Sequence, residues 1–168
     1  MISPHHTETS LNQSPIKQTV SSTAIELEAP TLQVTRGLYE HWLHAKVDGE
    51  MPRYRDMRPG QLKELTPFVY ILNILDNGAD FSVRFMGSAI TQSIGADYTN
   101  AKISDSASHP SAWRADVYRE VMARKAPMVT AVDLGDFERD FTKTECILLP
   151  LANEAGQLAM IICAAEQY

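Results

Sequence analysis

Two cysteines are the residues of this chain whose chemistry depends most on their spacing. Cys146 and Cys163 lie in two apolar runs of strand length that flank a short polar loop. Such a pattern predicts an antiparallel hairpin. A turn centred between Glu154 and Ala155 places the two thiols directly opposite each other and suggests a redox switch. The favoured interpretation is a pair of reduced, buried thiols, because free cysteine is commonly a small hydrophobic residue.

Metal binding is not predicted. The sequence contains two cysteines and five histidines, without a Cys-x-x-Cys or His-x-x-x-His spacing. His41 and His44 lie beside Trp42 and are expected to face solvent. His109 stands just before Pro110, and a lone histidine there is more often a helix cap or a surface residue than a ligand. The cofactor, if one binds, is left unknown.

Charged residues that could act in catalysis or binding are few. Arg84 and Glu145 each interrupt an apolar strand, so they could form a buried ion pair, or Arg84 could read a ligand carboxylate. Solvent exposure at strand edges is the favoured interpretation of both. Asp97 and Asp105, the nearest candidate acids, lie in polar turns. Without a nucleophile elbow, a phosphate loop or a dinucleotide motif, we predict that the chain is not an enzyme.

The overall charge argues against nucleic acid as a partner. The formal net charge is −6 and the pI is about 5.3, whereas phosphate neutralisation needs clustered Lys and Arg. Arg53, Arg55 and Arg58 form a local basic cluster, which we interpret first as a solvated loop and second as an anion site. No run approaches the roughly 18 apolar residues of a membrane span, so we expect a cytoplasmic protein.

The elements that must position these residues form one domain. Residues 1–30 have the composition of a disordered polar tail, and residues 31–168 form the domain. Its first element, over 31–48, is predicted to be an amphipathic helix with apolar residues at helical spacing, among them Leu38, Trp42 and Leu43.

Strands and further helices follow in an α+β order. An Asn-Gly turn joins strands 68–75 and 81–86, and a short helix and a turn with positive φ near Asn100 come next. A longer helix over 110–125 precedes the strand 128–134. With the hairpin at the end of the chain, the result is a five-stranded antiparallel sheet with helices inserted between its second and third strands.

The final hairpin is apolar on both faces. One face carries Ile147, Leu149, Leu151, Leu158, Met160 and Ile162, and the other carries Cys146, Leu148, Ala159, Ile161 and Cys163. Antiparallel sheets usually leave one face to water, so we expect each face of this sheet to be covered by a helix or a partner.

In this order of elements the chain resembles small single-domain PAS proteins found mostly in alphaproteobacteria. The resemblance covers residues from about 32 to the C-terminus and rests on these motifs: Trp42, Met51-Pro52-Arg53 with Asp56, Leu65-x-Pro67, Phe81-x-Val83-Arg84-Phe85-x-Gly87, Gly95-x-Asp97-x-Thr99, Ala126-Pro127 and Glu145-Cys146-Ile147-Leu148-Leu149-Pro150-Leu151. The family usually has Gly where this chain has Asn100, and Asn is the next most tolerant residue for a left-handed backbone.

The resemblance implies a stand-alone cytoplasmic regulator that acts in signal transduction through contact with other signalling proteins. It implies a homodimer and a small-molecule ligand between the inner sheet face and the inserted helices. Some PAS domains bind haem through a histidine of that region, but no haem is predicted here. Candidate pocket residues are Phe85, Ile90, Ile94, Trp113, Tyr118 and Leu149, and candidates for the outer-face cover or dimer contact are Leu38, Trp42 and Leu43. The alternatives are a ligand-free structural dimerisation module and, less favoured, a small α+β enzyme.

Overall fold

The computed structural model describes residues 24–105, 114–133 and 143–168. One antiparallel sheet dominates it, with the strand order β1-β4-β5-β6-β2-β3. The strands are β1 Ala24–Leu27, β2 Val69–Leu75, β3 Asp80–Met86, β4 Met128–Asp133, β5 Lys143–Ala152 and β6 Leu158–Gln167. The α-helices are α1 Gln33–Ala45, α2 Ser88–Ile94 and α3 Ala115–Arg124. The predicted α+β class is confirmed, with α2 and α3 inserted between β3 and β4.

The described sheet has six strands, one more than predicted. The additional strand, β1, comes from residues that composition assigned to the tail, and it pairs with β4 through Ala24↔Val132 to Leu27↔Val129. Without β1, β4 would expose an unpaired edge, which favours the addition of a strand. Glu26 of β1 also forms an ion pair with Arg124 of α3. This partner lies almost a hundred positions away, so local composition does not reveal the strand.

Both faces of the sheet are covered, as the two-sided hairpin predicts. On the inner face, α2 and α3 pack against β-strand residues such as Leu72, Phe81, Leu148 and Ile161. On the outer face, α1 and the 3-10 segments between residues 54 and 68 cover Ile71, Ile147, Leu149 and Ile162, among others. The outer face is therefore covered by the chain itself.

The final hairpin differs from its predicted register by two residues. Cys146 pairs with Ala165, and Cys163 pairs with Leu148. A shift by two residues preserves the side-chain alternation, so the composition of each face is as predicted. The predicted direct opposition of the two cysteines is wrong, because the loop and the irregular pairing at Ala152 move the turn relative to the strands.

Turns and helix ends follow the sequence signals. Asn100 has φ 71°, as predicted for its turn, and its backbone N–H donates to Val83 O over 2.7 Å. Helix α3 ends at Arg124, before Ala126-Pro127. The predicted start of that helix at Pro110, the possible cap His109, and Trp113 lie outside the described residues. In the part of the chain that is described, no helix is long and apolar enough to cross a membrane.

Gly87, just before α2, is fixed by close packing. A Cβ atom there would lie 2.3 Å from Thr66 O and 2.4 Å from Pro67 O, both backbone atoms that cannot rotate away. The Gly87 N–H also donates to Val69 O over 2.8 Å. Only glycine allows α2 to start this close to the segment that enters β2.

We therefore predict that Gly87→Ala destabilises the fold by about 3 kcal/mol, because overpacking against rigid backbone forces the two segments apart. Gly60→Ala is the matched control, since a Cβ there meets nothing within 4 Å. Urea unfolding followed by circular dichroism measures both. Equal unfolding free energies for the two variants would contradict the packing argument.

Candidate functional site

A cavity lies between the inner sheet face and helices α2 and α3. Its volume is about 300 Å³, at the lower end of the range typical of small-molecule sites. Its apolar lining is Ile90, Ile94, Val117, Val132, Leu148 and Ala165, and its polar lining is Tyr70, Ser93, Arg114, Tyr118, Thr130, Thr144 and Cys146. Most of the lining surface is apolar, and polar groups are distributed over it. This composition is expected of a ligand cavity.

Three polar groups meet at the deep wall of this cavity. The hydroxyl of Tyr70 lies 3.4 Å from the Tyr118 hydroxyl and 3.6 Å from the Cys146 sulfur. Burial raises the pKa of both tyrosine hydroxyls, and the neighbouring thiols add to this effect. Both phenols are therefore neutral at physiological pH and act as hydrogen-bonding groups.

The two cysteines are not arranged as a redox pair. They occupy diagonal positions in the ladder, since Cys146 faces Ala165 and Cys163 faces Leu148, and diagonal side chains are too far apart for a relaxed disulfide. Burial raises the pKa of the Cys146 thiol to about 11 and that of Cys163 well above its ordinary value. A redox switch between them finds no support in this geometry.

Arg114, at the start of α3, brings a positive charge to the cavity lining. Its Nε lies 3.5 Å from the Asp116 carboxylate, whose side chain is 73% exposed. Its Nη1 is buried and, among the residues that the structure describes, has no hydrogen-bond partner. The sequence analysis did not select Arg114, because an arginine at a helix start is unremarkable until the cavity beside it is known.

On the opposite face of the sheet, Glu145 holds the start of α1. Leu32, the residue before the helix, provides no side-chain cap. The Glu145 carboxylate instead accepts hydrogen bonds from Thr31 N at 2.8 Å, Leu32 N at 3.2 Å and Tyr168 Oη at 2.8 Å, and also from the Thr31 and Thr35 hydroxyls. A strand residue thus caps a helix from the far end of the chain.

A second carboxylate supports this arrangement. Glu166 of β6 lies directly opposite Glu145, and it accepts a hydrogen bond from Val34 N at 2.7 Å. Two like charges opposite each other in a sheet normally repel. Here both are directed at the positive end of the α1 dipole, which offsets the repulsion.

Glu145 is fully buried and still ionised. Burial acts to raise the pKa of its carboxyl group, but the hydrogen bonds from Thr31, Thr35 and Tyr168 outweigh burial and lower the pKa to about 2. The predicted exposure of Glu145 is therefore wrong. Local sequence could not reveal its role, because Thr31 and Glu145 are 114 positions apart.

Trp42 also attaches α1 to β5. Its indole Nε1 donates to Pro150 O over 2.9 Å. Pro150 lies beyond the last β5 residue that pairs with β4, where a residue without an N–H is tolerated. Leu38 and Trp42 are buried, whereas Leu43 is 42% exposed.

Comparison with known proteins identifies the fold. A family model described as a PAS domain matches residues 31–164. The chain belongs to the PAS domain family. Such domains are sensory signalling modules. A solved structure titled "Structure of an RNA-binding Light-Oxygen-Voltage Receptor" is 14% identical, with a TM-score of 0.49, and the match covers 88% of this chain and 39% of that one. No curated protein matches the sequence.

The PAS fold brings together three of the predicted pocket residues. Ile90, Ile94 and Tyr118 line the cavity. Leu149 and Phe85 pack instead in the cluster under α1, on the outer face. Trp113 lies outside the described residues.

Leu149 and Phe85 lie on the outer face instead of the predicted inner face for different physical reasons. Leu149 follows the predicted alternation of β5, but a strand that is apolar on both sides does not reveal which side is inner. Between β2 and β3, Ile71 pairs with Phe85 while Leu72 pairs with Val83. Arg84 is therefore an extra residue in this ladder, and such a bulge moves Phe85 to the opposite face from Val83.

The other candidate residues lie away from the cavity. Arg84 is exposed, with its guanidinium 4.4 Å above the Tyr54 ring, and does not contact Glu145. Asp97 and Asp105 are exposed and do not line the cavity. His44 is exposed as expected, whereas His41 is half-buried, with Nε2 3.4 Å from Asp56 O.

The basic cluster is largely engaged in surface ion pairs. Arg55 contacts Glu154 at 3.0 Å, and Arg53 lies 3.8 Å from the same carboxylate. No group of three His, Cys, Asp or Glu among the described residues could hold a metal ion. The predictions that the PAS domain binds no metal and is not an enzyme stay predictions.

Glu145→Gln is expected to lower the free energy of unfolding by about 2–3 kcal/mol at pH 7, because it removes the charge from several buried hydrogen bonds. Since the pKa is lowered in the folded state to about 2, the stabilisation is present above about pH 5 and is lost as the pH falls toward 2. The difference between the two proteins in urea unfolding should therefore shrink at pH 3. The exposed Glu154→Gln is the control, and a difference independent of pH would contradict the assignment.

The cysteines are expected to react slowly in the folded protein. With the Cys146 pKa raised to about 11, little thiolate exists at pH 8, and thiolate is the reactive form. Labelling with Ellman's reagent should be slow in buffer, fast in urea, and faster in buffer as the pH approaches 11. Formation of an intramolecular disulfide in the folded protein treated with oxidised glutathione would overturn the geometric argument.

Proposed function

We propose that this PAS domain is a cytoplasmic regulator that binds a small molecule in its inner cavity and acts on signalling proteins by contact. The observation that carries the proposal is the cavity of about 300 Å³ between the sheet and helices α2 and α3. A purely structural module needs no such space, and protein interiors are otherwise close-packed. The cavity therefore favours ligand sensing over the ligand-free alternative.

The enzyme alternative has less support. Catalysis by a small α+β enzyme would need an acid or base inside the cavity with a suitably shifted pKa. The described lining has no Asp, Glu or His. Its tyrosines and its cysteine have pKa values raised away from the physiological range. These groups are suited to binding a ligand rather than to exchanging protons with it.

Strand β5 offers a route from the cavity to the outer surface. Thr144, Cys146 and Leu148 line the cavity, whereas Glu145 and Ile147 between them face α1. A ligand that displaces the first set also moves the backbone that carries the second. We propose that ligand binding changes how firmly α1 is held, and that partner proteins sense this change.

A homodimer is also part of the proposal. A helix, a second subunit or both could cover the apolar outer face of the sheet. That face does not support the dimer, because α1 of the same chain covers it. Among the described residues, large hydrophobic side chains that remain exposed are Ile25, Leu43, Val47 and Tyr168. A dimer would have to use such peripheral residues instead of the sheet face.

Native mass spectrometry of protein purified from its own host tests the proposal. We expect a mass excess that disappears on denaturation. Val117→Phe should abolish the excess, because the larger side chain fills the cavity from α3. Val47→Phe, the same change at a 68% exposed position, should retain it. Bare protein mass in all three samples would refute the sensor proposal and favour the structural module.

A further inference from the structure

Of the described residues that line the cavity, Arg114 alone carries a formal charge. Its Nη1 is buried without a hydrogen-bond partner among those residues. A charged donor that is removed from water and left unpaired is costly. The Asp116 contact at 3.5 Å involves Nε and a largely exposed carboxylate, so it does not satisfy the buried nitrogen. An unpaired donor at a cavity wall indicates that a ligand atom completes it.

We infer that the cavity takes a small organic acid whose single carboxylate accepts a hydrogen bond from Arg114 Nη1 and whose apolar body lies against the inner sheet face. A carboxylate is the natural partner of a guanidinium, and the bond would be charge-assisted. This inference rests on the proposed function, since it names the class of ligand that the sensor binds.

The distribution of polarity in the cavity sets the ligand's orientation. The Arg114 side chain is 26% exposed, so it lies at the solvent-facing part of the cavity. Tyr118 and Leu148, by contrast, are 1% and 2% exposed and lie deep. The acid group therefore stays near the entrance, and the apolar body points toward Tyr118 and Leu148.

Charge balance favours one carboxylate over a phosphate or a diacid. One guanidinium faces the cavity, and a nearby carboxylate, Asp116, already shares part of its charge. Helix α3 starts at Ala115, so the positive end of its dipole adds to the positive charge near Arg114. A dianion would bring an uncompensated charge into a largely apolar space, which is unfavourable.

The volume limits the size of the acid. A cavity of about 300 Å³ corresponds to the space of roughly ten liquid water molecules. A ligand of about ten non-hydrogen atoms fits this space by the same measure. Octanoate has this size, and octanamide is its uncharged counterpart of nearly identical shape, so the two form a matched pair of probes.

Isothermal titration calorimetry with these two probes tests the inference. The unsubstituted PAS domain is first unfolded and refolded to remove any retained ligand. It should bind octanoate roughly tenfold or more tightly than octanamide, as expected of a charge-assisted hydrogen bond. Arg114→Met should remove this preference, and Arg114→Lys should retain part of it. Arg124→Met, at the other end of α3 and away from the cavity lining, should leave the preference unchanged.

The results separate this inference from the sensor proposal. Equal affinity for octanoate and octanamide, a preference that survives Arg114→Met, or no octanoate binding at millimolar concentration would each overturn the acid assignment. Retention of a neutral host molecule in native mass spectrometry, lost in Val117→Phe, would then still support the sensor. Thermal unfolding of each variant shows that it is folded before its affinity is interpreted.

Discussion

The outer half of this PAS domain depends on one buried carboxylate. Helix α1 starts without a capping side chain of its own, and a helix start that packs against a sheet cannot leave its amides unpaired. Glu145 meets this requirement from β5, with Glu166 beside it on β6. Because the acceptors belong to the two central strands, the helix has a defined position only when the sheet is complete. Burial of Leu38 and Trp42 then follows from where the helix is held.

The parts of the fold that depend on neighbouring residues in the chain could be predicted from sequence. The alternation of apolar residues assigned both faces of the β5–β6 hairpin correctly, because a register error of two residues does not change faces. The turn at Asn100 was predictable because positive φ has few compatible residues. These features depend on neighbours in the chain, which a single sequence displays directly.

Features that depend on distant partners were missed. Strand β1 exists because β4 offers an edge, and the role of Glu145 exists because Thr31 and Tyr168 meet it in space. Phe85 was placed on the wrong face because the bulge at Arg84 interrupts the alternation. Arg114 became informative only when its buried nitrogen could be seen beside a cavity. In each case the missing information is three-dimensional proximity and not residue type.

Gly87 restrains the N-terminal end of helix α2 more tightly than the C-terminal end is restrained. At Gly87, the residue before the helix, the backbone lies against that of Thr66 and Pro67, with no room for even a methyl group. At its last turn, Ser93 and Ile94 border the cavity, and Gly95 follows with φ 90° and open space around its Cα. Any displacement of α2 would therefore be smallest at Gly87 and would grow along the helix. Such a displacement would be a rotation about an axis near Val69, where strand β2 begins and where the Gly87 N–H is bonded.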